Sequence, residues 1–96
     1  MTDIKTYCSN TPMSDRKKEV FRLVCNADVE GRWITAAEIA DDLGKKESAV
    51  STMLQRIKKL GLLSTSSKGW RVSKEGRKER IYGCAVAMKE VMDSFR

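Results

Sequence analysis

Histidine is absent from the chain, which removes Ser-His and Cys-His nucleophile pairs and every His-ligated metal site. There is no Gly-rich phosphate loop either. Asp41 and Asp42 are adjacent, but neighbours on a helix point about 100° apart and face solvent. The expectation is a protein that is not an enzyme, with no metal, no cofactor and no evident small-molecule ligand. No apolar run approaches the ~20 residues of a membrane span, and the opening MTDIKTYCSNTPM lacks the charged-then-apolar order of a signal peptide. A cytoplasmic protein that does not engage membranes is expected. Proline occurs once among 96 residues of which 41% are hydrophobic, and this fits one compact domain rather than a disordered chain. The three cysteines, Cys8, Cys25 and Cys84, have no CxxC spacing and are odd in number, so reduced thiols are expected. Cys25 and Cys84 fall on helical stretches, where a buried Cys serves as a small apolar core residue.

What the chain does have is positive charge in one place. Its net charge is +6, yet residues 45–80 carry eleven Lys or Arg against three Glu, a local +8 that leaves −2 for the other sixty residues. Such concentration is the electrostatic footprint of a polyanion binder. Lysines and arginines that merely solvate helix surfaces are the alternative, and charge alone does not decide between the two.

Residues 1–13 show no periodicity and read as a flexible arm ending at Thr11-Pro12. Ser14 is a candidate N-cap for a first helix over about 15–28, with Asp15 favourable to its dipole and Val20, Phe21, Leu23, Val24 and Ala27 as its apolar stripe. A turn at Glu30-Gly31-Arg32 releases a short extended piece, Trp33-Ile34. Thr35-Ala36-Ala37-Glu38 is a capping box that starts a second helix, whose stripe of Ala36, Ile39, Ala40 and Leu43 ends on Gly44 as a left-handed cap.

A third helix, about 47–60, buries Val50, Met53, Leu54 and Ile57, continued by Leu60. Its opposite side carries Ser48, Ser51, Thr52, Gln55, Arg56 and Lys59, small hydrogen-bonding groups first and cations later. A major-groove reader needs that arrangement. Lys46 stands where an N-cap acceptor belongs, which costs about 1 kcal/mol unless something else, such as a phosphate oxygen, satisfies the free N–H groups. A solvated cap is the alternative. Gly61 ends the helix, and Leu62-Leu63, the turn-rich Ser64 to Gly69 and the β-prone Trp70-Arg71-Val72 make a hairpin. Ser73 is placed to cap a last helix with a near-heptad stripe.

This order of helix, strand, helix, helix, strand, strand, helix resembles the winged helix-turn-helix family of DNA-binding domains. The resemblance covers roughly residues 14–80. It rests on Thr35-x-x-Glu38-Ile39-Ala40-x-x-Leu43-Gly44, on Val50-x-x-x-Leu54-x-x-Ile57-x-x-Leu60-Gly61-Leu62-Leu63, and on Val72-Ser73-x-x-Gly76-Arg77. The last of these is similar to the Leu-Thr-x-x-Gly-Arg element after the wing of MarR-like regulators. The implied layout is an arm at 1–13, a winged-helix domain at 14–73 and a C-terminal helix at 74–96.

The resemblance implies that the third helix enters the major groove and that the wing, 64–71, lies on the backbone or the minor groove. By position, Ser48, Ser51, Thr52, Gln55 and Arg56 are the candidate base readers. Gln suits adenine and Arg guanine, each worth ~1–3 kcal/mol of discrimination. Lys45, Lys46, Lys59, Lys68 and Arg71 are the candidate phosphate contacts, and Lys58 lies nearer the core edge. Winged helices that bind left-handed DNA use an Asn and a Tyr where Ser51 and Gln55 stand here, so that speciality is not expected. Trp70 either stacks on nucleic acid or packs on the core. Ile81, Cys84, Ala85, Met88, Met92 and Phe95 either fold back on the domain or form a homodimer, which would set two readers about 34 Å apart on a palindrome. The function implied is a sequence-specific double-stranded DNA-binding transcriptional regulator of bacterial, archaeal or phage type, acting by operator occupancy. A protein-interaction module and a non-specific accessory protein of replication or recombination are the alternatives.

Overall fold

The structure, a computed structural model, describes residues 14–94; the expected arm at 1–13 and the candidate dimerisation residue Phe95 lie outside them. The elements in order are α1 (Asp15–Val29), α2 (Ala36–Leu43), α3 (Glu47–Lys59), β1 (Leu63–Ser66), β2 (Gly69–Val72), a 3-10 turn (Gly76–Lys78) and α4 (Arg80–Ser94). The described residues are thus mainly helical with a small antiparallel sheet. None of their helices is long and apolar enough to cross a membrane.

The three- and four-residue spacing in α1 puts Val20, Phe21, Val24, Cys25 and Ala27 on one side, and all five are fully buried. Ser14 holds the N-cap position in extended conformation, but its hydroxyl makes no capping bond. At α2 the capping box forms as its residues dictate. The Glu38 N–H donates to Thr35 Oγ1 at 3.1 Å, and the Thr35 N–H donates to Glu38 Oε1 at 3.3 Å. Gly44, at φ 64°, closes the helix in the left-handed region.

From there the chain runs into α3, whose Val50, Leu54 and Ile57 are fully buried. Burying side chains of this size stabilises by about 1.5–3 kcal/mol each. Leu60 departs from expectation, being 51% exposed. The helix has ended at Lys59, and after Gly61 it is Leu62 and Leu63 that re-enter the core.

β1 and β2 pair in the register Leu63↔Val72, Ser64↔Arg71, Thr65↔Trp70 and Ser66↔Gly69. The loop expected over Ser64 to Gly69 is therefore mostly strand, with Ser67 and Lys68 at the turn. Side-chain bonds close it, because Thr65 Oγ1 donates to the Gly69 carbonyl and the Lys68 N–H to Ser66 Oγ, both at 3.1 Å. Ile34 adds one further pairing on the other edge of β2. Its N–H donates to the Trp70 carbonyl at 3.1 Å, and the Trp70 N–H donates back at 2.7 Å. Trp70 is buried, so packing is the alternative realised here.

The last helix starts later than Ser73 suggests. The Ser73 hydroxyl donates to the Gly61 carbonyl and accepts from the Gly76 N–H at 3.0 Å, holding a turn rather than a helix. Gly76 is pressed so closely on the Leu62 carbonyl and the Val72 side chain that a Cβ there would collide with both. The chain must pass this point before α4 can begin at Arg80. Ile81 and Ala85 then enter the same core as α1, α3 and the hairpin. For these two residues, the fold-back alternative is the one realised.

Candidate nucleic-acid interface

Residues 48, 52, 55 and 59 follow three- and four-residue steps along α3, on the side away from Val50, Leu54 and Ile57. The structure leaves Ser48, Thr52, Gln55, Arg56 and Lys59 exposed together and Ser51 only partly so. Thr52 Oγ1 donates to the Ser48 carbonyl one turn back at 3.0 Å, which restrains its rotamer. Gln55 is exposed next to it with both amide groups available, one donor and one acceptor side. Lys58 is exposed rather than at the core edge.

The electrostatics of this face follow from what is missing around its cations. Among the described residues, Lys46, Arg56, Lys58, Lys59 and Lys68 make no ion pair. Lys46 occupies the N-cap of α3 with no side-chain acceptor, as its chemistry requires. Lys45 differs. It is half-buried, and its Nζ lies 3.9 Å from Glu19 of α1.

Arg71 is engaged as well, which composition could not reveal. Its Nε lies 3.6 Å from Asp28 Oδ1, and its guanidinium sits 4.8 Å from the centre of the Trp33 ring. The Asp28 side chain is 2% exposed and receives Arg77 on both oxygens, from Nε at 3.1 Å and from Nη2 at 3.2 Å. Hydrogen bonding and charge from Asp28 hold the Arg77 guanidinium protonated above its ordinary range. Burial, and then the polar contact with Asp28, raise the Tyr82 hydroxyl above its usual value. Asp28 thus joins α1, β2, the 3-10 turn and α4. Sequence reasoning passed over it, although a signal existed. Asp28 follows Phe21 by seven and Val24 by four, which places a carboxylate on the buried stripe, where it needs a partner.

The candidate dimerisation residues divide. Ile81 and Ala85 belong to the domain's own core, so they leave that set. Cys84 is disulfide-bonded, contrary to the expectation of reduced thiols, and its sulfur is already committed. Residue spacing alone does not reveal which cysteines a fold brings together. Cys25 is free and fully buried, and burial pushes its thiol far above the usual range, leaving it inert. Met88 and Met92 remain exposed at 56% and 62%, joined by Val91 at 55%. No family model, curated protein or solved structure matches this chain.

Proposed function

We propose that this protein is a winged helix-turn-helix that binds double-stranded DNA in a sequence-specific way, as a transcriptional regulator acting by occupancy of its operator. In this reading α3 lies in the major groove and the hairpin follows the backbone or minor groove. The observation that carries it is the outer face of α3, where hydrogen-bonding side chains and unpaired cations lie side by side. Gln55 and Arg56 are the sharpest base readers, and Ser48, Ser51 and Thr52 are permissive ones. Lys46, Lys59 and Lys68 contact phosphates, with Lys45 and Arg71 contributing from their internal partners, and a phosphate completes the uncapped start of α3.

Selection of bound sequences from a random duplex pool tests this directly. An enriched motif is expected, and it should weaken when Gln55 or Arg56 becomes Ala. With about five phosphates neutralised per protomer, log K should fall against log salt with a slope near −4.5. Absence of enrichment together with salt-independent binding would sink the reading in favour of an interaction module, and equal retention of all sequences would favour a non-specific accessory role.

A homodimer belongs to the same proposal. Met88, Val91 and Met92 form an apolar face on the outer half of α4, and three such exposed side chains favour a second copy of this helix across a two-fold axis. The selected motif is then palindromic. A species of monomer mass in sedimentation at micromolar concentration, unchanged on dilution, removes the dimer while leaving DNA recognition standing.

A further inference from the structure

Arg71 has two internal partners of different kinds, a buried carboxylate and an indole ring, and remains 42% exposed. The pairing of the strands explains its setting. Arg71 lies opposite Ser64 across the hairpin, and the Ile34–Trp70 pairing brings Trp33 beside it on the other edge of β2. Trp70 and Val72 point into the core, so Arg71 lies between them on the outer face.

The chemistry of Asp28 is unbalanced in a useful direction. Its carboxylate is held by Arg77 through two hydrogen bonds and is nearly inaccessible to water. Arg71 approaches the same oxygen more loosely, at 3.6 Å through Nε, while its ring contact comes from Trp33. One carboxylate cannot neutralise two guanidiniums, so the cluster keeps a net positive charge. A guanidinium engaged through Nε and seated over an indole ring still has terminal N–H groups for a bidentate contact. An arginine held in place beforehand loses less side-chain freedom when it meets a phosphate than a lysine waving in solvent does.

We propose that Asp28 and Trp33 are positioning residues that hold Arg71 as a preformed phosphate-binding group at the base of the hairpin, an assignment that rests on the DNA reading above. The competing view is that the cluster only clamps α1 to the hairpin. The two differ in sign. Asp28→Asn removes a negative charge, so electrostatics alone would tighten DNA binding, whereas loss of positioning weakens it.

The test is fluorescence anisotropy of a mixed-sequence duplex over a salt series, with far-UV circular dichroism confirming that each variant is folded. Trp33→Leu is expected to bind three- to tenfold more weakly with a salt slope shallower by about 0.9, and Trp33→Phe to recover most of the loss. Arg71→Lys keeps the charge yet should also lose several-fold. Folded Asp28→Asn should bind more weakly than wild type despite its added positive charge. If that variant does not fold, the Trp33 pair and Arg71→Lys decide. Trp33→Leu equal to wild type in affinity and slope, or Asp28→Asn equal or tighter, overturns the positioning role. Wild type that shifts no duplex at low salt overturns the DNA reading itself, and this assignment with it.

Discussion

The cations around Asp28 and those on the outer face of α3 have opposite relations to the rest of the molecule. Around Asp28, one buried carboxylate engages Arg71 and Arg77 and ties four elements together. On α3, Arg56, Lys58 and Lys59 have no counter-charge among the described residues. Of the eleven cations between 45 and 80, four are ion-paired (Lys45, Arg71, Arg77 and Lys78) and Arg80 also has a partner, so six are free. A partner's footprint should therefore be judged by the unpaired cations and their neighbours. The first region makes the fold, and the second leaves charge available to something outside it.

The sharpest way to break this contrast is on the structural side. Gly76→Ala drives a methyl into the Leu62 carbonyl and Val72 Cγ1. Overpacking of this kind against backbone should lower the unfolding free energy by about 3 kcal/mol, read as a shift in the urea midpoint. An unchanged midpoint would mean that the turn is looser than the structure has it. The next effect lies on the other side. Arg56→Gln with Lys59→Gln should weaken DNA binding about tenfold at 0.1 M salt, or ~1.4 kcal/mol, and make the salt slope shallower by about 0.9 through Lys59. Its urea midpoint should correspond to wild-type stability within ~0.5 kcal/mol. A stability loss as large as the affinity loss would erase the distinction between the regions.

The smallest effect concerns Tyr82, whose hydroxyl is held above its ordinary value by burial and by Asp28. A raised folded value favours the neutral phenol, so its contribution is complete below about pH 10 and is lost as pH rises through the folded value. Tyr82→Phe should cost under about 1 kcal/mol at neutral pH. Above pH 10 the gap between the two proteins in denaturant melts should shrink. A gap that widened there would reverse the assignment.

Local chemistry with short range was legible from the residues. The Thr35–Glu38 capping box and the buried stripe of α3 needed nothing beyond neighbours three or four positions away. The same holds for the outward set on α3, since it is the complement of that stripe. Contacts made by distant residues were not legible. Ser73 is a good helix cap in isolation, but Leu62 arrives beside Gly76 and delays the helix to Arg80. Arg71 reads as a free wing cation until Asp28 and Trp33 are brought to it. Ile81 and Ala85 continue the stripe of Met88 and Met92 without a break, and only the position of α1 decides where the domain's own core ends.

The two hydrogen bonds between Ile34 and Trp70 enclose α2, α3 and β1 within a single closed loop. Neither end of that loop can fray alone, because residue 34 leads straight into the capping box and residue 70 sits in the hairpin. Amide protons at Ile34, within α3 and at Trp70 should therefore exchange with solvent through one shared opening event, while those of the outer turns of α4 exchange sooner. The outer face of α3 is in this sense part of one cooperative unit: it is expected to be lost as a whole rather than piece by piece.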